Sequence, residues 1–331
     1  MDKREFMQAH LPAVGSVRGS REHFAPSNIA LCKYWGKRDA QLNLPVNASL
    51  SVSLGHLGTR TRVEPLDAPQ DSVYLNGRLQ GADSRFAQRV SAFIDLFRMG
   101  QPEQMFRVDT DNNIPTAAGL ASSASGFAAL TRAMDEAYGL GMSDTELSVI
   151  ARLGSGSACR SLFEGFVEWQ MGVREDGLDS HAIPVDKPWP GLCVGLVKVD
   201  EREKRVDSRA GMQRTKETAH LYQSWPLQAG ADLAKLHNAL DERDFGLLGA
   251  VAEQNALSMH ATMIASWPPL LYWQPDTVAA MHRVWALREE GLALYFTMDA
   301  GPNLKLLFES ASQAAVEAAF PGLEVIKPFG D

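Results

Sequence analysis

The chain has 331 residues, 45% hydrophobic and 22% charged, with a formal net charge of −8, a globular composition long enough for two domains or one large unit with a cleft. The acidic balance excludes a broad nucleic-acid-binding footprint, so a polyanion can be held only where Arg, Lys and backbone N–H groups gather in one cleft. The three cysteines, Cys32, Cys159 and Cys193, form no CxxC pair and suit a reducing cytosol rather than a disulfide framework, and no 18-residue apolar run is present to span a membrane.

In chain order, the first two dozen or so residues are polar and mixed. They lack the apolar stretch of a signal peptide and are expected to be a loose N-terminal extension. Alternation over Thr59–Glu64 and over Val73–Leu79 predicts strands, the second broken by the hairpin signal Asn76-Gly77. Phe106–Asp111 predicts another strand. Leu120, Ala124, Phe127, Thr131, Met134 and Tyr138 then recur at helical spacing, placing a helix from about Ser122 to Tyr138. Ser143 with Glu146 reads as a capping box opening a further helix through Ile150 and Leu153. A Pro-Trp-Pro turn precedes the apolar strand Leu192–Val199, which sets a lobe boundary near residue 188. Beyond it lie a loop at Ser208–Met212, a helix over residues 214–224, amphipathic stretches at 229–263 and 275–290, and a strand Leu292–Met298 ending on Asp299-Ala300-Gly301-Pro302-Asn303. Alternating strands and helices make the class α/β or α+β.

Five segments carry residues suited to chemistry. Pro115-Thr116-Ala117-Ala118-Gly119-Leu120-Ala121-Ser122-Ser123 joins a strand to a helix. Small residues let a backbone approach phosphates, a helix N-terminus favours anions, and Ser122 or Ser123 can bind Mg²⁺; alone, the run reads equally as a closely packed helix start. Lys33, Tyr34, Lys37 and Arg38 form a compact basic and aromatic group that can clamp phosphate or simply end a strand with snorkelling lysines. Gly154-Ser155-Gly156-Ser157-Ala158-Cys159-Arg160 offers hydroxyls and a guanidinium that can fork onto a carboxylate, or is a surface loop. Ser208-Arg209-Ala210-Gly211-Met212 can hold a second anion. Asp299, at a strand end before a Gly-Pro turn, can face a cleft as a base or form an Asx-turn. The eight histidines show no HExxH spacing and no GxSxG elbow occurs, which disfavours zinc and acyl-hydrolase chemistry; His260 reads as a core or groove residue of an amphipathic helix.

Taken together and in order, Asn28–Lys37, Leu42–Leu54, Asn112–Gly126, Ala151–Ser161, Ser208–Met212 and Met298–Asn303 resemble the diphosphomevalonate decarboxylases of the GHMP kinase superfamily. KYWGK and GSGSACRS mark the decarboxylase branch, and PTAAGLASS is shared more loosely with sugar and mevalonate kinases. The resemblance implies an α+β, two-lobed GHMP fold: a ribosomal S5-like lobe over residues 25–188, a ferredoxin-like lobe over 189–331, an extension over 1–24, and a cleft between the lobes. It implies ATP and Mg²⁺ as cofactors and conversion of mevalonate 5-diphosphate to isopentenyl diphosphate, ADP, phosphate and CO₂, in a cytoplasmic homodimer.

The resemblance also implies roles. Asp299 orients or deprotonates the 3-hydroxyl. Lys33 meets the transferring phosphoryl group and keeps Asp299 ionised. Arg160 holds the substrate carboxylate. Tyr34, Lys37, Ser208, Arg209 and Met212 line the diphosphate and the substrate chain, Asn28 orders the Lys33 segment, Pro115–Ser123 cradles the ATP phosphates, and Ser155 and Ser157 border that region. Asp207 departs from the family pattern and puts a negative charge where a second phosphate would lie. That keeps open a decarboxylase of mevalonate 5-phosphate or a mevalonate-type kinase, with a non-enzymatic ATP-binding regulator as a third reading.

Overall fold

The structure is a computed structural model and describes residues 1–12, 16–98, 101–114, 122–200 and 206–330. The elements run α1 (Lys3–His10), β1 (His23–Cys32), β2 (Lys37–Asp39), β3 (Leu44–Pro45), β4 (Ser49–Leu66), β5 (Ser72–Leu75), β6 (Arg78–Leu79), α2 (Arg85–Ile94), β7 (Met105–Asn112), α3 (Ser122–Tyr138), α4 (Asp144–Gly154), β8 (Phe166–Trp169) and β9 (Ala182–Val185). They continue with β10 (Leu192–Val197), α5 (Ser208–Thr218), α6 (Trp225–Glu242), α7 (Phe245–Ile264), α8 (Pro275–Glu289), β11 (Tyr295–Thr297), β12 (Leu304–Glu309), α9 (Gln313–Ala319) and β13 (Glu324–Ile326). Among the described residues no helix is long and apolar enough to cross a membrane.

The first half builds a mixed sheet in the order β6-β5-β7-β4-β8-β9, with β1 also paired to β4. Asn76 and Gly77, both at positive φ, make the tight β5–β6 turn that their side-chain chemistry favours. The second half builds the antiparallel sheet β11-β12-β10-β13, and its chain order of strand, helices, two strands, helix and strand is the ferredoxin-like βαββαβ pattern. β1 sits at the seam. Its residues from Ala25 to Cys32 are all buried, because α3 packs on it from the first lobe while α6 and α7 pack on it from the second. One apolar cluster accordingly joins Ile29, Leu31, Leu50 and Val52 to Leu196, Leu236, Leu248 and Met259.

Several expectations change. The N-terminal segment is not loose. Asp2 and Glu5 form a reciprocal capping box on α1, and Phe6 and Met7 are 1% and 0% exposed in the apolar cluster of the first lobe. A helix this short does not hold itself; two adjacent apolar residues in a polar stretch dock it. Ser208–Met212 is not a loop before a helix but the first turns of α5, because the Asp207 carboxylate caps the helix by accepting the Ala210 N–H at 2.9 Å. The helix ends at Thr218, short of residue 224. The stretch 229–263 is two helices, separated where Arg243 turns left-handed at φ 53. The expected strands Leu292–Met298 and Leu192–Val199 shorten to β11 and β10.

Helix α7 is seated closely: a methyl group added at Gly249 would collide with the Tyr295 ring of β11, whereas one at Gly230 of α6 meets nothing within 4 Å. Alanine therefore acts with opposite sign at the two sites. Gly230→Ala should stabilise by up to about 1 kcal/mol through helix propensity, and Gly249→Ala should destabilise by about 1–3 kcal/mol through overpacking, both read from urea denaturation midpoints.

Candidate active site

β1 ends at Cys32, where the backbone leaves the sheet and must find other partners for its polar groups. The Lys33 N–H donates to Asn255 Oδ1 of α7 at 2.8 Å, and the Lys33 carbonyl accepts from Asn47 Nδ2 at 2.9 Å. Asn255 is itself held by Asp232 of α6, accepting at 2.8 Å. This frame aims a side chain that is 2% exposed at Asp299, with Nζ to Oδ1 at 2.9 Å. Burial lowers the Lys33 pKa, and the Asp299 carboxylate opposes that shift.

Asp299 follows β11, and its backbone carbonyl lies 3.0 Å from His260 Nε2 of α7. The hairpin partner strand brings Lys305, paired in register with Thr297, to 3.9 Å from Asp299 Oδ2. Two buried ammonium groups thus face one carboxylate that is 31% exposed to the cleft.

Arg160 lies in the 3₁₀ turn Gly156–Leu162 and is 3% exposed. Its guanidinium donates to Ser49 Oγ at 2.6 Å and to Asn28 Oδ1 at 3.2 Å, and it stands 6.0 Å from the Trp169 ring centroid. Asn28 is oriented by donating to Ser161 Oγ at 2.7 Å. The expectation for Asn28 is therefore corrected: it fixes Arg160, while Asn255 and Asn47 order the Lys33 segment. Among the described residues no carboxylate lies within ion-pair distance of Arg160; burial lowers its pKa, and the more distant Asp299 carboxylate partly opposes that shift. A buried cation with no carboxylate in contact is costly, and one facing the cavity suits an anion there.

Tyr34 packs edge-on against Trp169 at 4.7 Å between centroids, and its buried hydroxyl has no hydrogen-bond partner among the described residues. Gly156 permits the approach, since a side chain there would press on the Tyr34 ring. Gly36 holds φ +117 beside the Tyr222 hydroxyl, turning the chain so that Lys37 re-enters the cleft. Burial, then the nearby Arg209 and Lys3, lower the Lys37 pKa to about 8.

One cavity of about 430 Å³ is lined by Asn28, Lys33, Tyr34, Lys37, Ser123, Ser155, Ser157, Arg160, Ser208, Arg209, Met212 and Asp299. A second cavity, of about 180 Å³ and mostly apolar, takes in Ser122, Val90, Val108, Phe127 and Leu130 and shares Phe86, Arg89 and Ser123 with the first. The hydroxyls of Ser123 and Ser155 are 3.4 Å apart between them. Residues 115–121 of the expected phosphate loop lie outside the described residues. The described residues contain no group of three or more His, Cys, Asp or Glu able to hold a metal; the Asp299 carboxylate and the Ser123, Ser155 and Ser157 hydroxyls of the first cavity are oxygen donors of the kind a magnesium ion accompanying phosphates takes, since that ion needs only one or two protein ligands.

Sequence reading missed Lys305, Asn255, Asp232, Asn47 and Ser49. Lys305 had a visible signal, a single charge inside the apolar run Leu304–Phe308, and Asn47 and Ser49 lie within the Leu42–Leu54 match. Asn255 and Asp232 had none. The concern over Asp207 also changes: its carboxylate is engaged by Arg85 at 3.2 Å and by the α5 cap.

Residues 25–182 match the model of the diphosphomevalonate decarboxylase-like N-terminal domain, and residues 194–323 match the mevalonate 5-diphosphate decarboxylase C-terminal domain. The diphosphomevalonate decarboxylase of Candida albicans is 36% identical over 307 residues, covering 88% of this chain and 85% of its own. The mevalonate diphosphate decarboxylase of Enterococcus faecalis, solved in a study of mevalonate diphosphate mediated ATP binding, superposes with a TM-score of 0.86 at 38% identity, covering 94% of this chain and 97% of that one. A structure described as MDDEF in complex with MVAPP, AMPPCP and magnesium gives 0.85 at 38% identity, with 94% and 100% covered. The chain belongs to the diphosphomevalonate decarboxylase family.

Proposed function

We propose that this protein converts mevalonate 5-diphosphate and ATP to isopentenyl diphosphate, ADP, phosphate and CO₂. The observation that carries the reading is the meeting, in one cavity, of a lysine-paired carboxylate and a buried guanidinium that, among the described residues, has no carboxylate in contact. A phosphorylating enzyme alone has no need of the second.

Asp299 accepts the proton of the 3-hydroxyl as that oxygen forms its bond to the γ-phosphorus, and the bond from that phosphorus to the ADP oxygen breaks. Lys33, donating to Asp299 Oδ1 at 2.9 Å, keeps the carboxylate anionic and presents positive charge to the phosphoryl oxygens; Lys305 backs the same carboxylate. Positioning and charge neutralisation dominate phosphoryl transfer. The C3–O bond then breaks with its electron pair going to phosphate. The C1–C2 pair moves to form the C2=C3 double bond, releasing CO₂. Arg160, fixed by Asn28 and Ser49, holds the carboxylate so that the breaking C1–C2 bond lines up with the departing phosphate, an orientation effect of large potential value. Lys37, Arg209 and Ser208 hold the diphosphate and Tyr34 and Met212 flank the carbon chain. Ser122 and Ser123 would hold nucleotide phosphates and Mg²⁺, which supplies charge neutralisation when bound, and the apolar second cavity takes the nucleotide base. Cys32, Cys159 and Cys193 are all buried, and the sparse, unpaired spacing of the three is in keeping with our placement of the enzyme in a reducing cytoplasm.

Asp299→Asn should lower kcat by roughly 10³-fold while leaving nucleotide affinity by calorimetry unchanged; retained turnover refutes the assignment. Arg160→Gln should lower CO₂ release by about 10²-fold, again without loss of nucleotide binding, and equal losses in both would count against a carboxylate clamp. Lys37 is protonated in the free protein below its pKa of about 8, and an anion favours that form. The kcat/KM for the diphosphate substrate should therefore be full below that pH and fall as pH rises through it, measured by coupled assay at constant ionic strength.

A further inference from the structure

The family match begins at residue 25, yet α1, well before it, is capped and docked through Phe6 and Met7. Its first residue, Lys3, reaches across to the active-site side of the lobe, where Nζ donates to the Leu153 carbonyl at 2.6 Å. The same carbonyl accepts from Asn43 Nδ2 at 3.2 Å, and Asn43 Oδ1 accepts from Lys37 Nζ at 2.6 Å. Leu153 and Asn43 thus link the two ammonium groups. Lys3, Lys37, Asn43 and Arg209 line a cavity of about 360 Å³ that shares Lys37, Asn43, Asp207, Arg209 and Met212 with the catalytic cavity. Asp299 and Arg160 line only the catalytic cavity, so Lys3 stands at the end of the cleft remote from the chemistry.

Charge in this outer chamber is one-sided. Burial and then Arg209 and Arg89 lower the Lys3 pKa to about 8. The carboxylate that lines the chamber, Asp207, is taken up by Arg85 at 3.2 Å and by the Ala210 N–H at 2.9 Å. Among the described residues neither lysine has a carboxylate within ion-pair distance. Crowded cations repel one another unless a multiply charged anion sits between them, and each ammonium keeps donors beyond its single neutral acceptor.

We propose that Lys3, delivered by the N-terminal helix, binds the terminal phosphate of the substrate's diphosphate, completing a cradle with Lys37 and Arg209. The inference rests on the preceding reading of the cleft as a site for phosphorylated mevalonate, and it makes the segment before the family core a determinant of diphosphate over monophosphate.

The test uses the full chain and inorganic diphosphate as the probe, so that absence of turnover would refute the preceding reading without touching this one. Lys3→Met should weaken diphosphate binding, measured by calorimetry, by about tenfold, the size of one charge-assisted hydrogen bond. It should raise KM for the diphosphate substrate comparably with kcat nearly unchanged, while Lys3→Arg restores most of the affinity. In the unaltered protein, inorganic diphosphate should protect Lys3 from amine acylation, followed by mass spectrometry, while leaving the exposed Lys235 of α6 reactive. Parent-like diphosphate affinity in Lys3→Met overturns the proposal, and so does acylation of Lys3 that is indifferent to diphosphate, a readout that stands even if the variant fails to fold.

Discussion

A lysine ammonium removed from water has to be compensated where it lies, at an effective cost of several kcal/mol, and Lys33 is compensated by a carboxylate 266 residues away in the chain. Both members belong to different lobes. Lys33 extends from the seam strand of the first, and Asp299 follows the first strand of the hairpin in the second. The pair therefore requires the lobes to meet in one relative position, and the apolar cluster around β1 supplies it. The side chains that orient the pair come from the same seam: Asn255 and His260 from α7, Asp232 from α6 and Asn47 from the approach to β4.

Arg160 follows a parallel logic with a different outcome. Its donors are held by neutral oxygens of Asn28 and Ser49, so among the described residues the positive charge has no contacting carboxylate, and Asp299 offsets its burial only from a distance. Among the described residues Lys33 has a carboxylate in contact and Arg160 does not. Against the basic side chains, an overall charge of −8 is carried elsewhere on the surface. The protein can thus remain acidic as a whole and still present a cationic hollow, because field strength inside a cleft depends on nearby groups and on the low polarisability of the walls.

Asp207 shows how a charge read in isolation misleads. As a letter it is a negative charge beside the expected diphosphate site. In the fold it caps α5 and meets Arg85, so the same residue that argued against a second phosphate fixes the first turn of α5, which carries Ser208, Arg209 and Met212. The N-terminal segment misled in the other direction: its polar average concealed Phe6 and Met7, whose burial is a property of two positions and not of composition.

By itself the sequence determined the local features: the Asn76-Gly77 turn, the Ser143 capping box, the α3 face through Phe127 and Met134, and the ordered motifs that carry Lys33, Arg160 and Asp299. Each depends on neighbours within a turn or a strand, or on motif order, and so is written in consecutive residues. Tertiary structure alone decided that Lys305 backs Asp299, that Asn255 and Asp232 pin Lys33, that Asn28 serves Arg160 and that Lys3 reaches the cleft. These are contacts between residues tens to hundreds of positions apart, and their partners are selected by lobe packing and by the demand that buried polar groups be satisfied, which no local pattern encodes.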